Sequence, residues 1–559
     1  MIKRRRVAAR ILAVALCFVA LPALAASPGL ALIGVDELKA WLSYIASDEL
    51  QGRETYSAGL GLAAGYIQEH LRAWGANPVG DDGTYLQVVR VLGVKTTSRS
   101  SVTVKVGNDS RTFKDGEGVT FPRNSGGRRT LTVDRVEFAG YGLDVPAVNH
   151  VDFRGKDVKG AAVVWLGVNG PRSVDSTTYR RLLTGRNRYA TDQMQAAGSI
   201  GPVLPQTSGR GAGSTQDQAA GRGRGGAVNP DFTTAQRLDQ QIPPAVSASD
   251  EFFAYLFNRA PVLYDELKRK AEARDPLPSF RLAGVTITFN IDMEYEVVRT
   301  QLTHNVVAVL EGSDPQLKNT YVAFGAHYDH VGYLDGPPGN GRRPPGRVKS
   351  GVEDDRIWNG ADDDGSGTVA VMAIARAFAL GPRPKRSLLF VWHAGEERGL
   401  LGSRYFADYP EVPIANIVAQ LNIDMIGRNR DDKATEANTV YLVGSDRISS
   451  ELHDVNREAN RSLPEPLTLD YEMNDPADLE QVYYRSDHYS YAAKGIPIIF
   501  FTTGLHDDYH ANTDEVSKIE FPKLTRIAGL VYETGLRVAN LDHPPARDNK
   551  GPRAGRGTR

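Results

Sequence analysis

The chain has 559 residues, more than one ordinary hydrophobic core accommodates, so two folded domains with tails are expected. Its composition, 41% hydrophobic and 24% charged, is that of a soluble globular protein. A formal net charge of −1 offers no electrostatic footprint for nucleic acid, which is excluded as a partner.

Residues 1–26 read as a signal peptide, with a basic stretch at 3–6 and an almost wholly apolar run at 11–23. Ala23-Leu24-Ala25 supplies the small residues of a cleavage site. The apolar run is shorter than the roughly 20 residues of a membrane-spanning helix, and no second long run follows. The expected product is exported, periplasmic or secreted, with no stable membrane anchor after cleavage. Cys17, the one cysteine, lies inside this leader behind a bulky Leu16, unlike a lipidation site. The mature chain therefore has no thiolate ligands or disulfides, and any metal must be held by His, Asp and Glu.

Helices are predicted at 36–48 and 57–74. In the second, Leu60, Ala63, Ala64, Ile67, Leu71 and Trp74 follow the i, i+3, i+4 spacing, and Gly75 is placed to end it. A mostly-β segment follows over 99–295, with a flexible Gly/Arg/Gln-rich loop expected at 196–228. From 296 to 541 strands alternate with helices, an α/β layer pattern with buried strands at 321–324, 388–392, 417–423 and 496–501 and helices at 366–380 and 518–539. Residues 542–559 read as a disordered tail.

Several of these strands run into charged residues. The segments are His327-Tyr328-Asp329-His330, Gly360-Ala361-Asp362-Asp363-Asp364-Gly365-Ser366-Gly367, Gly395-Glu396-Glu397, Asp424, and Tyr509-His510. Singly, each has a plain structural explanation: a helix cap, a solvated turn, a buried ion-pair partner. Together they would gather repelling carboxylates at the carboxyl ends of strands, where open α/β sheets bind ligands, unless cations neutralise them. Histidine with carboxylates and no cysteine is the donor chemistry of a hydrolytic zinc site.

These segments resemble peptidase family M28, the co-catalytic zinc exopeptidases. The resemblance rests on S-D-E-L-Q-G-R at 47–53, H-x-D at 327–329, G-A-D-D-D-G-S-G at 360–367, G-E-E at 395–397, Asp424, S-D-H at 486–488 and Y-H-A-N-T-D at 509–514. It implies a mixed central β-sheet flanked by helices, contributed by residues 30–98 and 296–541, and two Zn2+ per chain. Carried over, it gives one zinc to His327 and Asp424, the other to Glu397 and His510, and the bridge to Asp363. Glu396 becomes the general base, and Asp329 orients the ring of His327. His330, His393 and His506 receive no ligand role, and His488 is at most close to substrate. Asp362 and Asp364 are expected to support their loop, with Gly365 and Gly367 allowing its tight turn.

The segments 138–142 and 152–160 resemble the protease-associated (PA) domain inserted in many such peptidases, which matches the mostly-β stretch 99–295. The implied activity is removal of N-terminal residues from peptide substrates. A carboxypeptidase or dipeptidase of the same fold stays open, because Arg342, Arg343 and Arg347 could meet a substrate carboxylate. A glutaminyl-cyclase-like activity fits less well with a full five-ligand set, and a non-catalytic receptor-like protein would be expected to have lost ligands.

Overall fold

The computed structural model describes residues 27–203, 229–336 and 343–548. The expected leader with Cys17, residues 204–228 of the expected loop, Arg342, and residues 549–559 of the expected tail lie outside the described residues. Among the described residues, no helix is long and apolar enough to cross a membrane.

Helices α1 (Val35–Ile45) and α2 (Ala58–Ala73) open the chain. As the periodicity predicts, α2 buries Leu60, Ala63, Ala64, Ile67 and Leu71, and the Ser57 hydroxyl caps it by accepting from the Leu60 N–H at 3.1 Å. Two long strands, β1 (Leu86–Ser98) and β2 (Met293–Leu310), pair antiparallel along most of their length. The rest of the central sheet comes from β3 (Tyr321–His327), β4 (Ser387–His393), β5 (Ile417–Ile423), β6 (Thr439–Val443) and β7 (Ile498–Thr502). Its order is β1-β2-β4-β3-β5-β7-β6, with short strands at both edges. The central run β4-β3-β5-β7 is parallel and flanked by antiparallel neighbours. Its strands are continuous apolar runs because helices cover both faces, which leaves no water-facing side to alternate toward. Helices α3 (Gly367–Leu380) and α4 (Phe521–Asn540) join α1 and α2 in the core on one face. Phe406 and Tyr491 pack with the opposite face. This is the mixed, helix-flanked sheet expected.

Most of the intervening segment builds a second ten-stranded sheet with its own core, including Val104, Phe138, Val164, Ile200, Phe253 and Ile287. Its outline departs from the sequence reading in three places. Residues 198–202 are not loop: Gly198–Pro202 is a buried strand between Ala162–Val164 and Ala245–Ala248. The run Gly-Ser-Ile-Gly-Pro has no periodic signal because close packing selects small residues there. A Cβ on Gly201 would lie 2.0 Å from the Trp165 ring. Phe232–Thr234 returns to pair with β1, so the insertion contributes an edge strand to the central sheet. The boundary expected at 295/296 falls inside β2, since β1 and β2 continue from the central sheet toward the second one.

Residues 542–548 are not a free tail. The Lys385 ammonium pairs with Asp542 at 2.5 Å, His543 lies 2.7 Å from Glu451, and the Ala546 N–H donates to Glu451 at 2.8 Å. Such polar anchors leave no apolar pattern to read in sequence.

Candidate metal centre

Strand β3 ends at His327, β4 leads into Glu396 and Glu397, and Asp424 follows β5, so three neighbouring parallel strands deliver their charged ends to one edge. The loop before α3 adds Asp363, and the loop after β7 adds His510. The His327 Nε2 lies 3.3 Å from Asp363 Oδ1 and 3.7 Å from Asp424 Oδ2. The His510 Nε2 lies 3.1 Å from Asp363 Oδ2 and 3.0 Å from Glu397 Oε2. A tetrahedral zinc with ligands near 2.0–2.1 Å separates its ligand atoms by roughly 3.3 Å, so both groups have the spacing of one ion. The two oxygens of Asp363 divide between them. Asp363 Oδ2 is buried without a hydrogen-bond partner, as a lone pair aimed at a cation would be.

Among the described residues, two groups of three side chains converge closely enough to chelate: His327 with Asp364 and Asp424, and His330 with Asp363 and Glu397. Asp364 is the weaker partner in the first. Its carboxylate already accepts the main-chain N–H groups of Gly367 at 2.9 Å, Met425 at 3.1 Å and His327 at 3.2 Å. It ties the loop to β3 and to the turn after β5, the supporting role expected. In the second group, His330 Nδ1 approaches Glu397 Oε1 at 2.9 Å but stands 3.9 Å from Asp363. His510 reaches both carboxylates at about 3 Å and fits the ligand position better; His330 faces the other oxygen of Glu397.

Electrostatics follow from the crowding. Burial works to raise the Asp363 carboxyl, but contact with His327 and His510 holds it well below the usual range. Glu397, also opposed by burial, is held down to about 2 chiefly by His510. Glu396 moves the other way: burial pushes it well above the ordinary glutamate range, and Glu397, Asp424 and Asp487 add to the effect against His327.

The family model described as peptidase family M28 matches residues 305–535. Residues 305–535 belong to peptidase family M28. A leucine aminopeptidase 1 from Trichophyton equinum is 26% identical over 238 residues, 41% of this chain and 56% of that protein. This chain thus spans about half the length of the leucine aminopeptidases it matches. A probable zinc metalloprotease from Pyrenophora teres is 31% identical over 138 residues, 24% of this chain and 26% of that protein. Among solved structures, an aminopeptidase from Aneurinibacillus sp. strain AM-1 aligns with 94% of this chain and 98% of its own at 19% identity, with a TM-score of 0.42.

Around this M28 centre several supporting residues take roles other than those read from sequence. Asp329 orients His327 through its main-chain carbonyl, 3.1 Å from Nδ1, while its carboxylate stands 3.7 Å from that atom. The carboxylate instead accepts the Thr55 hydroxyl at 2.8 Å and the Glu396 N–H at 3.1 Å, so Asp329 also fixes where Glu396 leaves β4. Arg53, fully buried, explains the S-D-E-L-Q-G-R segment. Its guanidinium donates to the carbonyls of Ile45, Tyr328, Asn359 and Gly360 at 2.6–3.0 Å, joining the end of β3 to the loop that carries Asp363. Gly365 and Gly367 are needed for space rather than a special turn, since a Cβ on Gly367 would lie 2.3 Å from Asp364. The left-handed residue of this loop is Gly360, at φ 58°.

In S-D-H, Ser486 is the residue that touches the site: its hydroxyl donates to Asp424 Oδ2 at 2.6 Å. His488 makes its contacts elsewhere. It is buried, 2.8 Å from the Tyr483 carbonyl and stacked on Phe500. His393 faces the Tyr491 hydroxyl at 2.9 Å, and His506 faces Asp362 at 3.2 Å, neither of them at the centre. Arg347 spends its guanidinium on the Asp507 and Tyr509 carbonyls, which no sequence pattern announces.

Proposed function

We propose that this chain is an exported aminopeptidase carrying two zinc ions. His327, Asp424 and Asp363 would hold the first, and His510, Glu397 and Asp363 the second. The observation that carries the reading is the split of the Asp363 carboxylate between two groups whose donor spacings each suit one zinc. When bound, the ions supply Lewis-acid polarisation of the scissile carbonyl and make water a nucleophile at neutral pH. The protein's own part is proton traffic and positioning. Glu396 takes a proton from the attacking water and returns it to the departing amine, a role suited to a carboxyl whose hold on a proton burial strengthens. Tyr509, its ring stacked on His510 at 4.0 Å between centroids, and Arg485, which donates to the Tyr509 hydroxyl at 3.4 Å, offer hydrogen-bond donors for the substrate.

The names of the leucine aminopeptidases matched over 41% of the chain support an amine-end specificity. So does the engagement of Arg347, one of the cations that a carboxypeptidase or dipeptidase reading needs for a substrate carboxylate. Export rests on the leader at 1–26, and the inserted lobe is read as protease-associated from its 138–142 and 152–160 segments. The test is twofold. Elemental analysis of the loaded protein should approach two zincs per chain, and aminoacyl chromogenic substrates should be cleaved only with a free α-amine. Equal cleavage of amine-blocked substrates refutes the aminopeptidase reading, and metal-free activity refutes the zinc centre.

A further inference from the structure

We propose that Glu480 is a positioning residue through which the inserted lobe acts on Arg485. The proposal rests on the peptidase reading above. Residues 474–489 of the peptidase domain lie against the lobe's helical stretch 180–195. The Arg188 guanidinium covers the Tyr484 ring at 3.8 Å, and the Tyr489 hydroxyl donates to Asp192. At the rim, one atom joins the two parts. Glu480 Oε2 accepts from Arg485 at 3.0 Å and pairs with Arg181 of the lobe at 3.1 Å. Arg485 turns its other amino group to the Tyr509 hydroxyl, and Tyr509 stacks on His510. A continuous chain thus runs from Arg181 through Glu480, Arg485 and Tyr509 to a residue of the metal centre.

The geometry says what the chain does. Arg485 is anchored by the Glu480 carboxylate at 3.0 Å. Tethered to Glu480, its guanidinium is held beside Tyr509; untethered, it is free to swing away and leave the donor position. Arg181 keeps Glu480 in place by occupying the same oxygen. The Arg181 and Glu480 side chains are 41% and 51% exposed, so the pair adds little to folding, and its removal should register in catalysis rather than stability.

The experiment uses the full zinc-loaded chain and an aminoacyl chromogenic substrate. Glu480→Gln and Arg181→Met should each lower kcat/KM by about three- to tenfold, as expected for a displaced positioning group, with zinc content and melting temperature unchanged. The double variant should fall no further than Glu480→Gln alone. In an Arg485→Met background, Glu480→Gln should have no further effect, which a merely structural role would not produce. Raising salt should bring the wild type toward Glu480→Gln and leave that variant unmoved. The proposal is overturned if Glu480→Gln stays within about twofold of wild type, or if its effect adds fully to that of Arg485→Met. A wild type inert toward every free-amine substrate refutes the peptidase reading itself; an active wild type with an insensitive Glu480→Gln refutes this chain of contacts alone.

Discussion

Ser486→Ala should loosen one zinc and spare the other. The serine hydroxyl donates to Asp424 Oδ2 at 2.6 Å and accepts from the Asn422 side chain at 3.1 Å. A hydrogen bond to a carboxylate contributes about 1.5–3 kcal/mol. At about 1.4 kcal/mol per decade, losing it should weaken the His327/Asp424 position by roughly 10- to 100-fold, the range known for groups that orient metal ligands. The His510/Glu397 position touches neither Ser486 nor Asn422 and feels the change only through Asp363. Chelator competition on the loaded protein reads this directly: release should become distinctly biphasic, with the faster phase accounting for one zinc. Without metal, urea unfolding should show a loss of only about 1–2 kcal/mol, from the orphaned Asn422 amide. Equal weakening of both zincs, or release unchanged from wild type, would refute the reasoning.

Glu396→Gln should reduce kcat by about 10²- to 10⁴-fold while leaving both zincs bound, and full activity in that variant sinks the base assignment. Asp363→Ala should lose both metals together, measured as zinc per chain after gel filtration; two tightly held zincs would contradict the bridge. Lys523 gives a pH prediction away from the centre. It is 2% exposed, and burial lowers its ammonium to about 8 from the usual lysine value. Because the folded state binds its proton less tightly than the unfolded chain, the penalty is complete below about pH 8 and fades as pH rises from there toward the unfolded value near 10.5. A shift of this size corresponds to roughly 3 kcal/mol, partly offset by bonds to Asn429 and the Glu436 carbonyl. Lys523→Met should therefore be the more stable protein at neutral pH, by about 1–2 kcal/mol in urea unfolding, with the gap closing by pH 10. A gap independent of pH would show that the lysine is not strained.

The carboxyl-end residues of β3, β4 and β5 were legible in sequence because a core strand that ends in His327, Glu396-Glu397 or Asp424 breaks its own apolar pattern. The supporting groups were not. Arg53 and Ser486 stand inside motifs the sequence displays, at 47–53 and 486–488, but Arg53 acts on main-chain carbonyls and Ser486 on one oxygen of Asp424, so residue type announces neither role. Asp329 acts on His327 through its backbone, which any residue could offer. The buried strand Gly198–Pro202 was hidden because small residues chosen to fit Trp165 look like linker.

What the sequence by itself determined is the chemistry: cysteine-free donors at strand ends, in an order that matches peptidase family M28 over 305–535. It determined the alternation of buried strands and amphipathic helices as well, because both follow from local periodicity. Only the tertiary structure decided which oxygen of Asp363 meets which histidine, that Arg347 is spent on carbonyls, and that the insertion reaches back to pair with β1 and to touch Glu480. Those facts depend on contacts between residues far apart in the chain, where distance and direction, rather than residue type, set the interaction.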